Sequence, residues 1–171
     1  SDEVRNVRSE LKPSEKNMDE VVITGTMKET YLSESPVAIE IVTPKLFQKN
    51  PTANIFESLN MVNGVRPQMQ CNVCNTGDIH INGMEGPYTM VLIDGMPVVS
   101  ALGSVYGLMG IPNSIVQRIE VQKGPASTLY GSEAVGGLIN IITKVPLTAP
   151  KYSFDFFGTT YSDFTGDFSF R

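Results

Sequence analysis

Ile115-Val-Gln-Arg-Ile-Glu-Val-Gln-Lys-Gly-Pro-Ala-Ser-Thr-Leu-Tyr-Gly-Ser-Glu-Ala-Val-Gly-Gly-Leu-Ile-Asn-Ile-Ile-Thr-Lys144 is the stretch on which the reading of the fold turns. Val116, Arg118, Glu120 and Gln122 alternate with Ile115, Gln117, Ile119 and Val121, a period of two that predicts a strand over residues 115–122 with one polar face. Pro125 supplies a preset helical φ and Gly131 a stop, so residues 125–130 read as a short helix. Leu138 to Thr143 is strand-sized, dominated by Leu and Ile, and suited to the centre of a sheet.

Upstream, Thr89 to Asp94 is rich in buried-type residues and ends at the turn dipeptide Asp94-Gly95, and Asp78 to Asn82 reads as another strand. Asn54 and Glu57 have the spacing of a capping box, Ile55, Leu59 and Val62 share one helical face, and Gly64 ends that helix. Thr43 and Pro44 open an earlier helix, behind a half-buried strand from Val37 to Val42. Asp19 to Gly25 is β-branched and closed by Gly, an extended strand at the edge of a polar leader, residues 1–18, that reads as a flexible linker. Ser100 to Gly110 reads as a surface loop. The order β-α-α-β-β-β-α-β implies an α+β fold: a small mixed sheet, taken as four-stranded, with short helices packed on it.

Downstream of Pro146 and Pro150 the composition changes. Tyr152, Phe154 and Phe156 alternate with Ser153, Asp155 and Phe157, and residues 161–171 look like a continuation or partner. Aromatic alternation over about ten residues is the mark of a transmembrane β-strand. A hairpin cannot close a barrel and an open edge is not tolerated in lipid, so the expectation is of a fragment whose remainder supplies the barrel.

Composition narrows the function classes. The chain has 171 residues, 41% of them hydrophobic and 18% charged, enough for one modest core. A net charge of -5 without a Lys/Arg cluster argues against a nucleic-acid partner. No stretch approaches the ~20 apolar residues of a membrane-spanning helix. Neither a basic n-region nor an apolar h-region stands at the start, so a signal peptide is either removed or absent. Cys71-Asn-Val-Cys74, followed by His80, fits a short-loop disulfide, a redox dithiol or half of a metal site, and a metal site would need a second ligand pair.

The stretch quoted first resembles the plug domain of TonB-dependent outer-membrane receptors, whose corresponding segment runs IERIEVxRGPxSxLYGxxAxGGxINIITK. The resemblance extends from about Asp19 to Lys144: Val91-Leu-Ile-Asp-Gly-Met-Pro97 is similar to the family's VLIDGVP, residues 56–64 resemble its LxxVPGV helix, and Glu20-Val-Val-Ile-Thr-Gly25 resembles the TonB box in its Bacteroidetes form, EVVVTG. It implies a division into linker (1–18), TonB box (19–26), plug (27–148) and the first barrel strand or hairpin (149–171).

By resemblance, the plug fills a barrel of about 22 strands, contributes to binding a large scarce substrate and couples to TonB for energised import. Glu20, Val21, Val22, Ile23, Thr24 and Gly25 would add as a strand to the TonB C-terminal domain. Arg118, Glu120 and Lys123, with Asn82, would face the hydrated wall of the protein's own barrel. The family's Ile-Arg-Gly is here Ile81-Asn82-Gly83, and its Arg-Gly-Pro is Lys123-Gly124-Pro125, so locking contacts to barrel carboxylates are weakened or carried by a less bidentate cation. Substrate contact would fall to loops: Gln68, Met69, Gln70, Asn72 and Asn75 in one, Met84 and Tyr88 in a second, Tyr106 and Met109 in a third. Their sulfur and aromatic groups suit cobalamin, haem or an iron-siderophore better than a small sugar. No cofactor and no catalysis are implied.

Three other readings compete with this one. A glycan importer working with a surface lipoprotein would carry KDASAxxxYGxRGAxG where this chain has Lys123-Gly-Pro-Ala-Ser-Thr-Leu-Tyr-Gly-Ser132. A thiol-disulfide centre at Cys71 and Cys74 would want a helix N-terminus after the first Cys, and turn chemistry follows instead. A periplasmic signalling module would end near Lys144, against the aromatic strand from Tyr152.

Overall fold

The computed structural model describes residues 20–49, 52, 54–71, 73, 76–98, 108–145, 151–158, 160 and 164–170. Its centre is the strand–helix–strand stretch. β8 (Val116–Lys123) and β9 (Gly137–Thr143) pair antiparallel, joined through the short helix α3 (Ser127–Tyr130). β6 (Thr89–Ile93) lies parallel to β9 on its other side, and β3 (Ile39–Val42) pairs antiparallel with β8. β7 (Met96–Pro97) closes the far edge, giving a five-stranded mixed sheet in the order β3-β8-β9-β6-β7. Asp94 and Gly95 both adopt positive φ, 50° and 79°, the geometry of a two-residue hairpin turn whose twist matches that of its strands.

The expected mixed sheet with short helices is present, with one strand more than expected. Two residues of β7 are too few to leave an alternation signal. A second difference lies at Gln68–Thr76, read as a loop. β4 (Val65–Cys71) takes up its Gln68–Cys71 part and pairs antiparallel with β5 (Thr76–Ile81) as a separate ribbon. Pro67 hid the strand, yet a proline is tolerated where a two-stranded ribbon leaves an outer edge unpaired.

α1 (Pro44–Lys49) starts at the expected proline. α2 (Ile55–Ser58) is capped as its sequence predicts, Asn54 Oδ1 accepting from the Glu57 amide at 3.0 Å. Its Ile55 and Phe56, with Leu59 just after the helix, enter a core shared with Val65, Ile79, Ile81, Val116, Ile119, Val121, Ile139 and Ile141. Each such side chain contributes roughly 1.5–3 kcal/mol by leaving water. Gly64 turns the chain at φ 76°, and its carbonyl accepts from the Asn82 amide. Leu108, expected in a loop, is 2% exposed within a short 3₁₀ turn that packs on α2.

β10 (Tyr152–Gly158) and β11 (Phe164–Phe170) form an antiparallel hairpin. Tyr152, Phe154, Phe156, Phe164, Phe168 and Phe170 all fall on one face and are all exposed, while Ser153, Asp155, Asp167 and Ser169 share the other. One face suits hydrocarbon and the other water.

Candidate functional site

The leading segment is folded back onto the sheet. β1 (Val21–Val22) pairs with β2 (Thr30–Tyr31), and the Leu32 amide donates to the Glu20 carbonyl at 2.8 Å. Beyond Val22 the backbone ladder stops and side chains take over. Glu120 Oε2 accepts from the Ile23 amide at 3.0 Å, the Thr24 amide at 3.0 Å and the Thr24 hydroxyl at 2.6 Å. Its other oxygen accepts from Arg118 Nε at 2.8 Å. Thr24 is held from two further sides: Tyr130 donates its phenol to the Thr24 carbonyl at 2.9 Å, and Asn140 Nδ2 donates to the Thr24 hydroxyl at 3.3 Å. Asn140 Oδ1 accepts from the Gly95 amide.

Burial explains why so many bonds converge. Thr24, Glu120 and Asn140 are fully buried, and a carboxylate taken from water is tolerated only when its lone pairs are filled. The phenol of Tyr130 titrates above its ordinary value, first because burial disfavours the charged phenolate and then because the Glu120 charge lies nearby. It therefore stays an O–H donor through the physiological range. Gly25 approaches so closely that a Cβ there would meet Ser35 Oγ at 2.7 Å and Val37 Cγ2 at 3.0 Å.

This arrangement corrects the placement of Glu120. The alternation of β8 did put Arg118, Glu120 and Gln122 on one polar face, but residues 23–24 cover Glu120, so it turns to its own chain rather than outward. Lys123 is likewise engaged within the chain, its Nζ donating to Glu40 Oε2 on the neighbouring strand. Arg118, half-buried, is committed to Glu120. Asn82 is exposed and adopts φ 51°, beginning a two-residue turn with Gly83 at φ 82°. The roles of Glu120, Tyr130 and Asn140 toward the leading segment escaped sequence reading, because the partners lie about a hundred residues apart.

The remaining candidates divide. Gln68, Met69 and Gln70 are exposed along β4, with Gln70 Nε2 donating to Asp78 Oδ2 at 2.8 Å. Gln68 and Asn82 meet in an open polar groove of about 670 Å³ that also takes in Asn60 and the cross-strand pair Arg66 and His80. Met84 and Tyr88 are exposed and come together at Gly136, whose amide donates to the Tyr88 carbonyl and whose absent Cβ makes room for Met84. Met109 is half-buried in its short 3₁₀ turn and packs on the core beside Gly77. Asn72, Cys74, Asn75 and Tyr106, and the linker 1–18, lie outside the described residues; Cys71 ends β4, half-buried. Among the described residues no group of three or more His, Cys, Asp or Glu side chains could hold a metal ion.

Comparison with known proteins agrees with this architecture. A family model described as the TonB-dependent Receptor Plug Domain matches residues 32–138. The chain is 37% identical over 142 residues to the ferric enterobactin receptor PirA of Pseudomonas aeruginosa, covering 75% of this chain and 19% of that one. It is 30% identical over 125 residues to the vitamin B12 transporter BtuB of Vibrio vulnificus, covering 73% and 20%. The structure of the pyoverdine outer membrane receptor FpvA of Pseudomonas aeruginosa superposes with a TM-score of 0.72 over 92% of this chain and 22% of that one, at 19% identity, a likeness that speaks for the fold alone. The chain spans about a fifth of the length of the curated relatives it matches. Those relatives are a receptor and a transporter, not enzymes. From its sheet, its helices and these matches together, the chain belongs to the TonB-dependent receptor plug family.

Proposed function

We propose that this chain is the plug of an outer-membrane active transporter, closing the lumen of its own barrel and helping to bind a large scarce substrate of the iron-siderophore or corrinoid class. Residues 20–25 serve as the TonB box, passing to the TonB C-terminal domain as an added strand on the periplasmic side. The observation that carries the reading is the leading segment: a two-residue strand, joined to the sheet beyond it by side-chain bonds, ahead of a core of the plug family. Such a segment can leave without unpicking the main sheet. The relatives' ligands, vitamin B12 and ferric enterobactin, favour a large chelate, and the exposed Met69, Met84 and Tyr88 offer soft apolar contact to one. The hairpin's aromatic face supports a membrane-spanning continuation.

Val22→Pro in the full-length receptor removes a backbone donor that strand addition needs. Binding to the purified TonB C-terminal domain is expected to be lost while substrate binding persists; unchanged TonB binding would overturn the box assignment. A binding panel of a corrinoid, a ferric catecholate and an oligosaccharide tests the substrate class, and retention of the oligosaccharide alone would reverse it.

A further inference from the structure

We infer that Glu120, acting with Tyr130 and Asn140, is the latch that holds residues 21–25 docked on the plug and so sets how often they are free to pair with a partner strand. The inference rests on the TonB-box reading of those residues. Its physical core is a competition for donors. The Ile23 and Thr24 amides are both bound by one oxygen of Glu120, and an added strand would draw on one of the two, since successive amides of an extended strand point to opposite edges. Docked and partner-paired states therefore exclude one another, and the apparent affinity for a partner falls by the undocked fraction.

The latch reads one side chain in particular. The Thr24 hydroxyl donates to Glu120 and accepts from Asn140, using both halves of its hydrogen-bonding capacity, while its carbonyl takes the Tyr130 phenol. A β-branched apolar residue of the same shape would keep the strand and its backbone bonds to Glu120 and Tyr130 and lose the two bonds of the hydroxyl. Arg118 holds the carboxylate from its other oxygen, which keeps Oε2 aimed at the segment. Glu120, Asn140 and Tyr130 come from β8, β9 and the helix between them, and Glu120 and Asn140 stand directly opposite in the β8–β9 register. The stretch that forms the centre of the sheet thus also grips the leading segment.

The test uses the full-length receptor in detergent without substrate, comparing wild type with Thr24→Val and Tyr130→Phe. Hydrogen exchange is read at residues 21–25 and at residues 139–142, alongside affinity for the purified TonB C-terminal domain. For Thr24→Val, exchange at Ile23 and Thr24 is expected to rise about tenfold or more, the effect of losing one charge-assisted bond, with affinity rising in step. Tyr130→Phe, which removes a single oxygen, should give about a fivefold rise. Unchanged exchange at Ile23 and Thr24 in both variants overturns the latch. So does an equal acceleration at residues 139–142, because the bonds would then belong to the folding of the core. Faster exchange at residues 23–24 with no change in TonB affinity supports the latch and overturns the box reading.

Discussion

β9 and β1 are both extended segments rich in β-branched residues, and they are held in opposite ways. β9 has backbone ladders on both sides, to β8 and to β6, and Leu138, Ile139 and Ile141 are fully buried. β1 has two residues of ladder on one side, after which a carboxylate, a phenol and a carboxamide do the holding. A ladder strand packed on both faces leaves only with the whole fold, whereas a segment gripped by a few polar side chains exchanges them for other partners at modest expense in free energy. The difference separates what must stay from what can be pulled.

Four measurements would break or sharpen that contrast, beginning with the largest effect. Ile141→Ala should destabilise the plug by about 2–5 kcal/mol, seen as a lower midpoint in denaturant for the whole sheet; a change confined to residues 21–25 would erase the distinction. Gly25→Ala forces a Cβ against Ser35 and Val37, and overpacking of that kind costs about 1–3 kcal/mol. Its effect should appear as faster exchange at residues 21–25 with β9 unaltered. Raising the pH gives a weaker handle with a definite sign. Tyr130 in the docked state holds its proton to a higher pH than an ordinary phenol, so docking is fully present below about pH 10 and is lost as pH rises through the raised value. Protection of residues 23–24 should therefore decline in alkaline solution, and Tyr130→Phe should abolish that decline. Smallest is Glu40→Gln, which removes the partner of Lys123 at a partly exposed site; the change in stability should not exceed about 1 kcal/mol by denaturant titration.

The sequence disclosed most where local chemistry decides the outcome. Asn54 caps α2 because a short acceptor three residues before Glu57 finds an orphan amide, and Asp94-Gly95 turns because both residues accept positive φ. The β8–α3–β9 stretch was legible from alternation, Pro125 and Gly131. What escaped depends on neighbours distant along the chain. Nothing local to Glu120 says which surface covers it: the same alternation serves a face against water, a barrel wall or the segment at residues 23–24. β7 was too short to register, and Pro67 disguised β4. At the candidate site the leading segment was recognisable from residues 20–25, but its grip was not, because Tyr130 and Asn140 look like ordinary members of a helix and a strand.

The hairpin of β10 and β11 has a consequence for how this region can vary between relatives. Because Tyr152, Phe154 and Phe156 share a side with Phe168 and Phe170, one residue inserted or deleted inside either strand would send part of the aromatic set to the side of Asp155 and Asp167. Length changes should therefore be confined to the connection between Gly158 and Phe164, and within each strand related chains should differ by substitution alone.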